Sequence, residues 1–141
     1  MSGRAGAYSG KGRSAKRRWG PGLNVAIWGA MTEPSIRDFH AHIYYDPEQV
    51  DDAHRLAAAA QQRFPVAVGH FHVRPVGPHP RGSCQLTVPP ELFGDVAQWL
   101  TLNRGQLTIF AHANTGEDLP DHTQHVIWFG PSEPLDLSIF D

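Results

Sequence analysis

The sequence predicts an α+β domain, a ferredoxin-like split β-α-β sandwich, on three observations. Runs that alternate every second residue and runs with helical apolar stripes follow one another as strand, helix, strand, strand, helix, strand, in two halves of similar size. The helical stripes and one face of each strand are apolar, which fits two helices laid on one side of a single sheet. The other face of the outermost runs carries histidine, so it needs a cover. Two sheets packed face to face in a dimeric α+β barrel are the economical way to supply one, and the apolar C-terminal segment folding back is the alternative.

The first strand lies in Asp38-Phe39-His40-Ala41-His42-Ile43-Tyr44-Tyr45. Strand side chains alternate, so His40, His42 and Tyr44 point one way and Phe39, Ala41, Ile43 and Tyr45 the other. Two neutral imidazoles on one face suit a divalent metal, although such a pair also occurs on ordinary amphipathic surfaces. Asp46-Pro47 opens a helix, with an acid to cap it and proline at the first helical position. Residues Glu48 to Phe64 lack glycine and proline and continue it, with Val50, Ala53, Leu56, Ala57, Ala60 and Phe64 as the buried stripe. His54 lies off that stripe and is expected to face water.

Pro65 ends the helix, and Val66 to Val73 reads as a second strand with its own pair, His70 and His72. At a sheet edge these two can simply be solvated. Residues Arg74 to Pro80 hold too much proline and glycine for regular structure, and His79, clamped between Pro78 and Pro80, sits in a stiff loop suited to a ligand or a base. The third strand is Ser83 to Val88, with Cys84, Leu86 and Val88 on one face. Pro89-Pro90 starts the second helix, Glu91 to Asn103, striped by Leu92, Val96, Trp99 and Leu100 and stopped by Asn103-Arg104-Gly105. Leu107 to His112 is the fourth strand. In the split topology it neighbours the first strand at the sheet edge, which brings His112 beside His40 and His42. Ala113 to Thr123 reads as a polar loop containing His122, His125 to Gly130 as a short extra strand, and the remainder as a tail with Leu135, Leu137, Ile139 and Phe140.

The chain has 141 residues, enough for one domain with a real core, and its single cysteine excludes an internal disulfide. No apolar run reaches the roughly 18 residues of a membrane span, and no signal-peptide core precedes the first strand, so a cytoplasmic location is expected. The formal charge of -2 hides a split: six of the twelve basic residues but one of the fourteen acids lie in residues 1–34. The folded part is therefore acidic, and no basic stripe recommends it to nucleic acid. Residues 1–34 read as a basic disordered leader, or as a gene-model extension if translation begins at Met31; the domain proper is residues 35–141.

Several segments together resemble the DOPA 4,5-dioxygenase-like proteins: His40-Ala41-His42-Ile43-Tyr44 with its acid-proline helix entry, Pro75-Val76-Gly77-Pro78-His79-Pro80, Asn103-Arg104-Gly105 leading to His112, Asp121-His122-Thr123 and Trp128-Phe129-Gly130. They run from about Phe39 to Phe140, and only the basic leader departs from the pattern. The resemblance implies a dimeric ferredoxin-like domain. It also implies extradiol cleavage of a catechol such as DOPA, a reaction in which fungal members are implicated on the route to betalain pigments, whereas many bacterial members have no known substrate.

That chemistry needs a redox-active metal with adjacent open positions, so Fe(II) is the expected cofactor, with another divalent ion such as Zn able to occupy the same site in a purified sample. His40, His42 and His112 are the expected ligands, with His79 and His122 as acid, base or substrate-binding groups that could exchange roles with a strand histidine. Glu117, Asp118 and Asp121 are the candidates nearest in sequence for a completing carboxylate, and an all-histidine site is the alternative. Tyr44 and Trp128 could stack on a catechol ring and Arg104 could pair with a carboxylate, against competing roles in packing and capping. The expected partners are a small catechol, dioxygen and a second copy of the chain. Two other readings keep the fold: a metal-free or haem-binding dimeric-barrel oxygenase, and a small-molecule or metal-binding protein without turnover.

Overall fold

The structure, a computed structural model, describes residues 34–141, so the leader and the Met31 start lie outside the described residues. Alternation in the first run does produce a strand, β1 (Asp38–Tyr45). It is followed by a 3-10 turn (Pro47–Gln49), α1 (Val50–Arg63), β2 (Ala67–Val68), β3 (Gly82–Val88), a second 3-10 turn (Pro90–Leu92), α2 (Phe93–Asn103), β4 (Thr108–Asn114), α3 (Asp118–Thr123), β5 (Val126–Phe129) and a last 3-10 turn (Leu137–Phe140). The strands form one five-stranded antiparallel sheet in the order β2-β3-β1-β4-β5. The architecture is a small α+β fold.

Register follows from which residues must be buried. Ala41, Ile43 and Tyr45 of β1, Cys84, Leu86 and Val88 of β3 and Ile109 and Ala111 of β4 share the face that meets Ala53, Leu56, Ala57 and Ala60 of α1 and Val96 and Leu100 of α2. Each buried aliphatic chain in that layer contributes about 2 kcal/mol of transfer free energy, and a one-residue slip would expose the whole set. At its margin Phe39 stacks on Phe93 with ring centroids 3.9 Å apart. Asp46 precedes α1 as expected, its backbone N–H donating to Gln49 Oε1 at 2.9 Å.

Three expectations are corrected. The second strand is only Ala67–Val68 rather than Val66 to Val73. Beyond it the chain bonds β3 through Gly69 N to Gln85 O and rejoins only by an isolated bridge between His72 and Ser83. Phe71 lies between, packed toward the core and stacked on His54 with centroids 3.7 Å apart, so His54 is exposed on one side but not free of contact. The expected polar loop is in part helical: α3 tolerates Pro120 because it stands in the first turn, where the backbone N–H would have no partner in the helix. The fourth strand is not an edge, since β5 pairs along it, matching Ile109 with Phe129 and His112 with Val126.

Gly82 is required where β3 begins. A Cβ there would lie 2.9 Å from both His72 O and the Tyr45 ring. On the face away from α1 and α2, the chain's own C-terminal residues fold over the sheet. Arg81 forms two 2.9 Å bonds to the Glu133 carboxylate, Asp136 N donates to Pro78 O at 2.9 Å, and the Phe140 ring stands 4.6 Å from that of His122. Of the two covers left open by the sequence, this one is present within the single chain.

Candidate metal centre

The second face of the sheet is where the histidines go. Pairing sets His40 opposite His112, His42 opposite Phe110 and Tyr44 opposite Thr108 across β1 and β4, and Phe110 opposite Trp128 across β4 and β5. Residues directly opposite in an antiparallel pair share a face. His40, His42 and His112 each offer a ligand atom within 4.8 Å of the others. His42 Nε2 and His112 Nε2 are 3.1 Å apart. Two nitrogens each ~2.1 Å from one ion would be that far apart at an angle of roughly 95°, so the pair fits a common metal.

The ring tautomers are set by the second nitrogens. His112 Nδ1–H donates to Ala113 O at 2.9 Å, which leaves the Nε2 lone pair free to ligate. His40 Nε2 stands 3.1 Å from Asp38 Oδ1, itself held by Asn114 Nδ2 at 3.0 Å. A carboxylate on the far nitrogen of a ligating histidine raises its basicity and fixes its ring. Burial, reinforced by the surrounding imidazoles, holds His42 well below the usual histidine range. Burial lowers His112 to about 4 even though its bond to Ala113 acts the other way. His40 is lowered by burial against the opposing pull of Asp38. All three are therefore neutral near pH 7, the form a metal needs.

Two loop histidines join this face. A turn in which His79 N donates to Val76 O, with Gly77 at φ 55°, turns His79 inward, and its ring lies 4.1 Å from that of His42. Its Nδ1 is 2.7 Å from the Tyr44 hydroxyl. Burial and then the neighbouring His122 lower His79 to about 4, and burial raises the Tyr44 phenol, which stays protonated. From α3, His122 Nδ1–H donates to Asp118 O at 2.7 Å, and its ring is 4.1 Å from His112. Phe110 lies beneath, 4.6 Å from Trp128, which in turn is 6.1 Å from Tyr44.

Seven of the eight expected site residues thus gather on one face, and Arg104 does not. Its Nη1 donates to Leu107 O at 3.0 Å, and it lines a cleft of about 450 Å³ with Asp52, Arg55 and Trp99 on the helical side. That cleft is larger than the one at the histidines but contains no imidazole. Of the acids named as a completing carboxylate, Asp121 is buried and takes bonds from Thr115 N, Thr115 Oγ1 and His125 Nδ1. The carboxylate next to the cluster is Asp38. Strand alternation carried one step back from His40 would have found it. The cavity at the histidines is about 350 Å³, bounded by His42 and His79 on the inside and His70 and His72 at the rim, a size typical of small-ligand sites.

Comparison with known proteins gives the family. The model of the Dopa 4,5-dioxygenase family matches residues 39–139. A DOPA 4,5-dioxygenase of Amanita muscaria is 38% identical over 118 residues, covering 77% of this chain and 51% of that protein, so the chain spans about half of its length. An uncharacterized 21.2 kDa protein of Botryotinia fuckeliana is 37% identical over 134 residues, 84% of this chain and 73% of the other. A crystal structure of a "putative dioxygenase" from Nostoc punctiforme superposes with a TM-score of 0.69 at 39% identity, over 71% of this chain and 87% of that one. With a family match over most of its length, including every histidine of the cluster, the chain belongs to the Dopa 4,5-dioxygenase family.

Proposed function

We propose that the chain is an extradiol ring-cleaving dioxygenase acting on a catechol, with a divalent metal, Fe(II) in the active form, held by His40, His42 and His112. The observation that carries this reading is the convergence of three neutral imidazoles whose ligand atoms lie within 4.8 Å of one another. Nitrogen donors of this kind suit Fe(II) or Zn better than Mg or Ca, and three protein ligands leave positions for exogenous oxygen atoms. When bound, such an ion supplies adjacent open positions for both catechol oxygens and dioxygen, and Fe(II) adds redox chemistry.

The chain's own groups then position substrate and move protons. Trp128, half-buried and backed by the fully buried Phe110, offers an apolar surface at the edge of the cluster. His122, with its proton on Nδ1 bound by Asp118 O, presents the Nε2 lone pair as acceptor for a catechol hydroxyl proton. His79 is neutral, and the Tyr44 hydroxyl, able to donate to or accept from Nδ1, supports either tautomer while Nε2 takes up or returns a proton. Because burial disfavours the imidazolium, a proton placed on His79 is readily given back.

The proposal includes the ferredoxin-like description of the sheet, supported by its strand order with β5 as an addition, and a homodimer, for which a sedimenting species of twice the chain mass is the check. The activity is tested by incubating Fe(II)-loaded protein in air with DOPA, caffeate and protocatechuate. A yellow semialdehyde with matching oxygen uptake is expected. Silence across a broad catechol panel with iron bound would favour a binding protein without turnover.

A further inference from the structure

We infer that the rim pair His70 and His72 selects catechols carrying an anionic side chain, and disfavours those carrying a cationic one. The inference rests on the ring-cleavage reading above and names the substrate class for that site. The cavity of about 350 Å³ runs from His42 and His79 at its inner end to His70 and His72 at its outer end, with Ser83 and Gln85 between them. A ring held beside His42, the one proposed metal ligand that lines this cavity, directs its substituent toward the outer end. The two rim rings are 4.8 Å apart, edge to face at 71°, near enough for one carboxylate at the rim to be within reach of both side chains. An imidazole has a ring N–H to donate whether neutral or protonated, which makes the pair a receptor for a carboxylate.

The chemistry of the lining is one-sided. Among the described residues, none that lines this cavity carries a carboxylate. The nearby acid of the C-terminal segment, Glu133, is taken up by two bonds from Arg81, and Asp46 by a third from the same guanidinium. An ammonium group entering here finds no anion free to pair with and gives up its hydration without return. Arg81, for its part, is too committed to those acids to serve as the carboxylate anchor.

His70 is exposed and His72 half-buried, so both can be replaced without opening the core. Dihydrocaffeate, DOPA and dopamine share the catechol ring and differ in the charge on a short chain: anion, zwitterion and cation. Isothermal calorimetry on the protein as purified, under argon, should find dihydrocaffeate bound about tenfold or more tightly than dopamine, as one charge-assisted hydrogen bond allows, with DOPA between. The KM values for cleavage in air by Fe(II)-loaded protein should follow the same order. Joint His70→Ala and His72→Ala substitution should shrink the preference to within about threefold. His70→Asp alone should bring dopamine level or ahead. Equal or tighter binding of dopamine by the native chain, no binding of any of the three, or an order unmoved by these substitutions would overturn the inference. If the acid-over-amine order holds in calorimetry while none of the three is cleaved, the rim assignment stands and the ring-cleavage reading falls.

Discussion

Burying neutral imidazoles has a cost that shows only in acid, and metal-free protein should reveal it. His79 and His112 are held at about 4 by burial, against an ordinary value of 6.5 that they regain on unfolding. Near pH 7 both states are neutral and the stability is intact. As pH falls below 6.5, the unfolded chain takes up protons that the folded chain refuses, so stability declines until the folded groups titrate near pH 4. For each histidine the loss between pH 7 and pH 5 is about 2 kcal/mol, so the pair costs about 4 kcal/mol, a large share of the 5–15 kcal/mol typical of a domain. His42 and His40 are lowered in the same sense and add to it. The window lies above the usual carboxylate range, so acids contribute little. Urea unfolding of metal-free protein at pH 7, 6 and 5 measures the decline, and His79→Gln should remove about 2 kcal/mol of it. A stability unchanged from pH 7 to pH 5 would show that these rings titrate as if solvated, and would refute their burial in one cluster.

Other predictions follow from single contacts. Tyr44→Phe leaves buried His79 Nδ1 without its 2.7 Å partner. It should cost about 1–2 kcal/mol in urea melts and slow ring cleavage about tenfold while metal content is unchanged. Arg81→Ala frees the C-terminal segment from its paired bonds to Glu133, so amides of residues 131–141 should exchange faster, with a stability loss of about 1 kcal/mol. Gly82→Ala forces a methyl to within 2.9 Å of His72 O and the Tyr45 ring and should lower stability by about 1–3 kcal/mol, read as a lower urea midpoint.

Much of this site was legible because a strand's side-chain period is two. His40, His42 and Tyr44 could be placed on one face from their spacing alone, and the split topology brought β4 alongside with His112. His79 was legible from its two prolines, which limit the loop to few conformations. What failed was governed by contacts distant in sequence. Phe71 is paired with His54 on α1, so the expected strand through Val73 was cut to Ala67–Val68. The six residues of α3 are too few to show a periodic stripe, so His122 was read as a loop residue although it stands on a helix. Arg104 looked available after a helix end, yet its guanidinium is used by Leu107 O, a carbonyl whose direction no local pattern specifies. The cover over the histidines was undecided because apolar residues in a tail do not say which face they meet; the Arg81 and Glu133 pair is what directs this one.

Ring cleavage at this site requires imidazoles of β1 and β4 to share one ion, and metal content tests that most directly. Protein purified without oxygen, loaded with Fe(II) and desalted should hold close to one equivalent per chain by plasma emission. His42→Ala should hold almost none, whereas His54→Ala, altered on the exposed surface of α1, should match the native chain. Native protein that retains no divalent metal, or a His42→Ala variant that retains as much as His54→Ala, would contradict it.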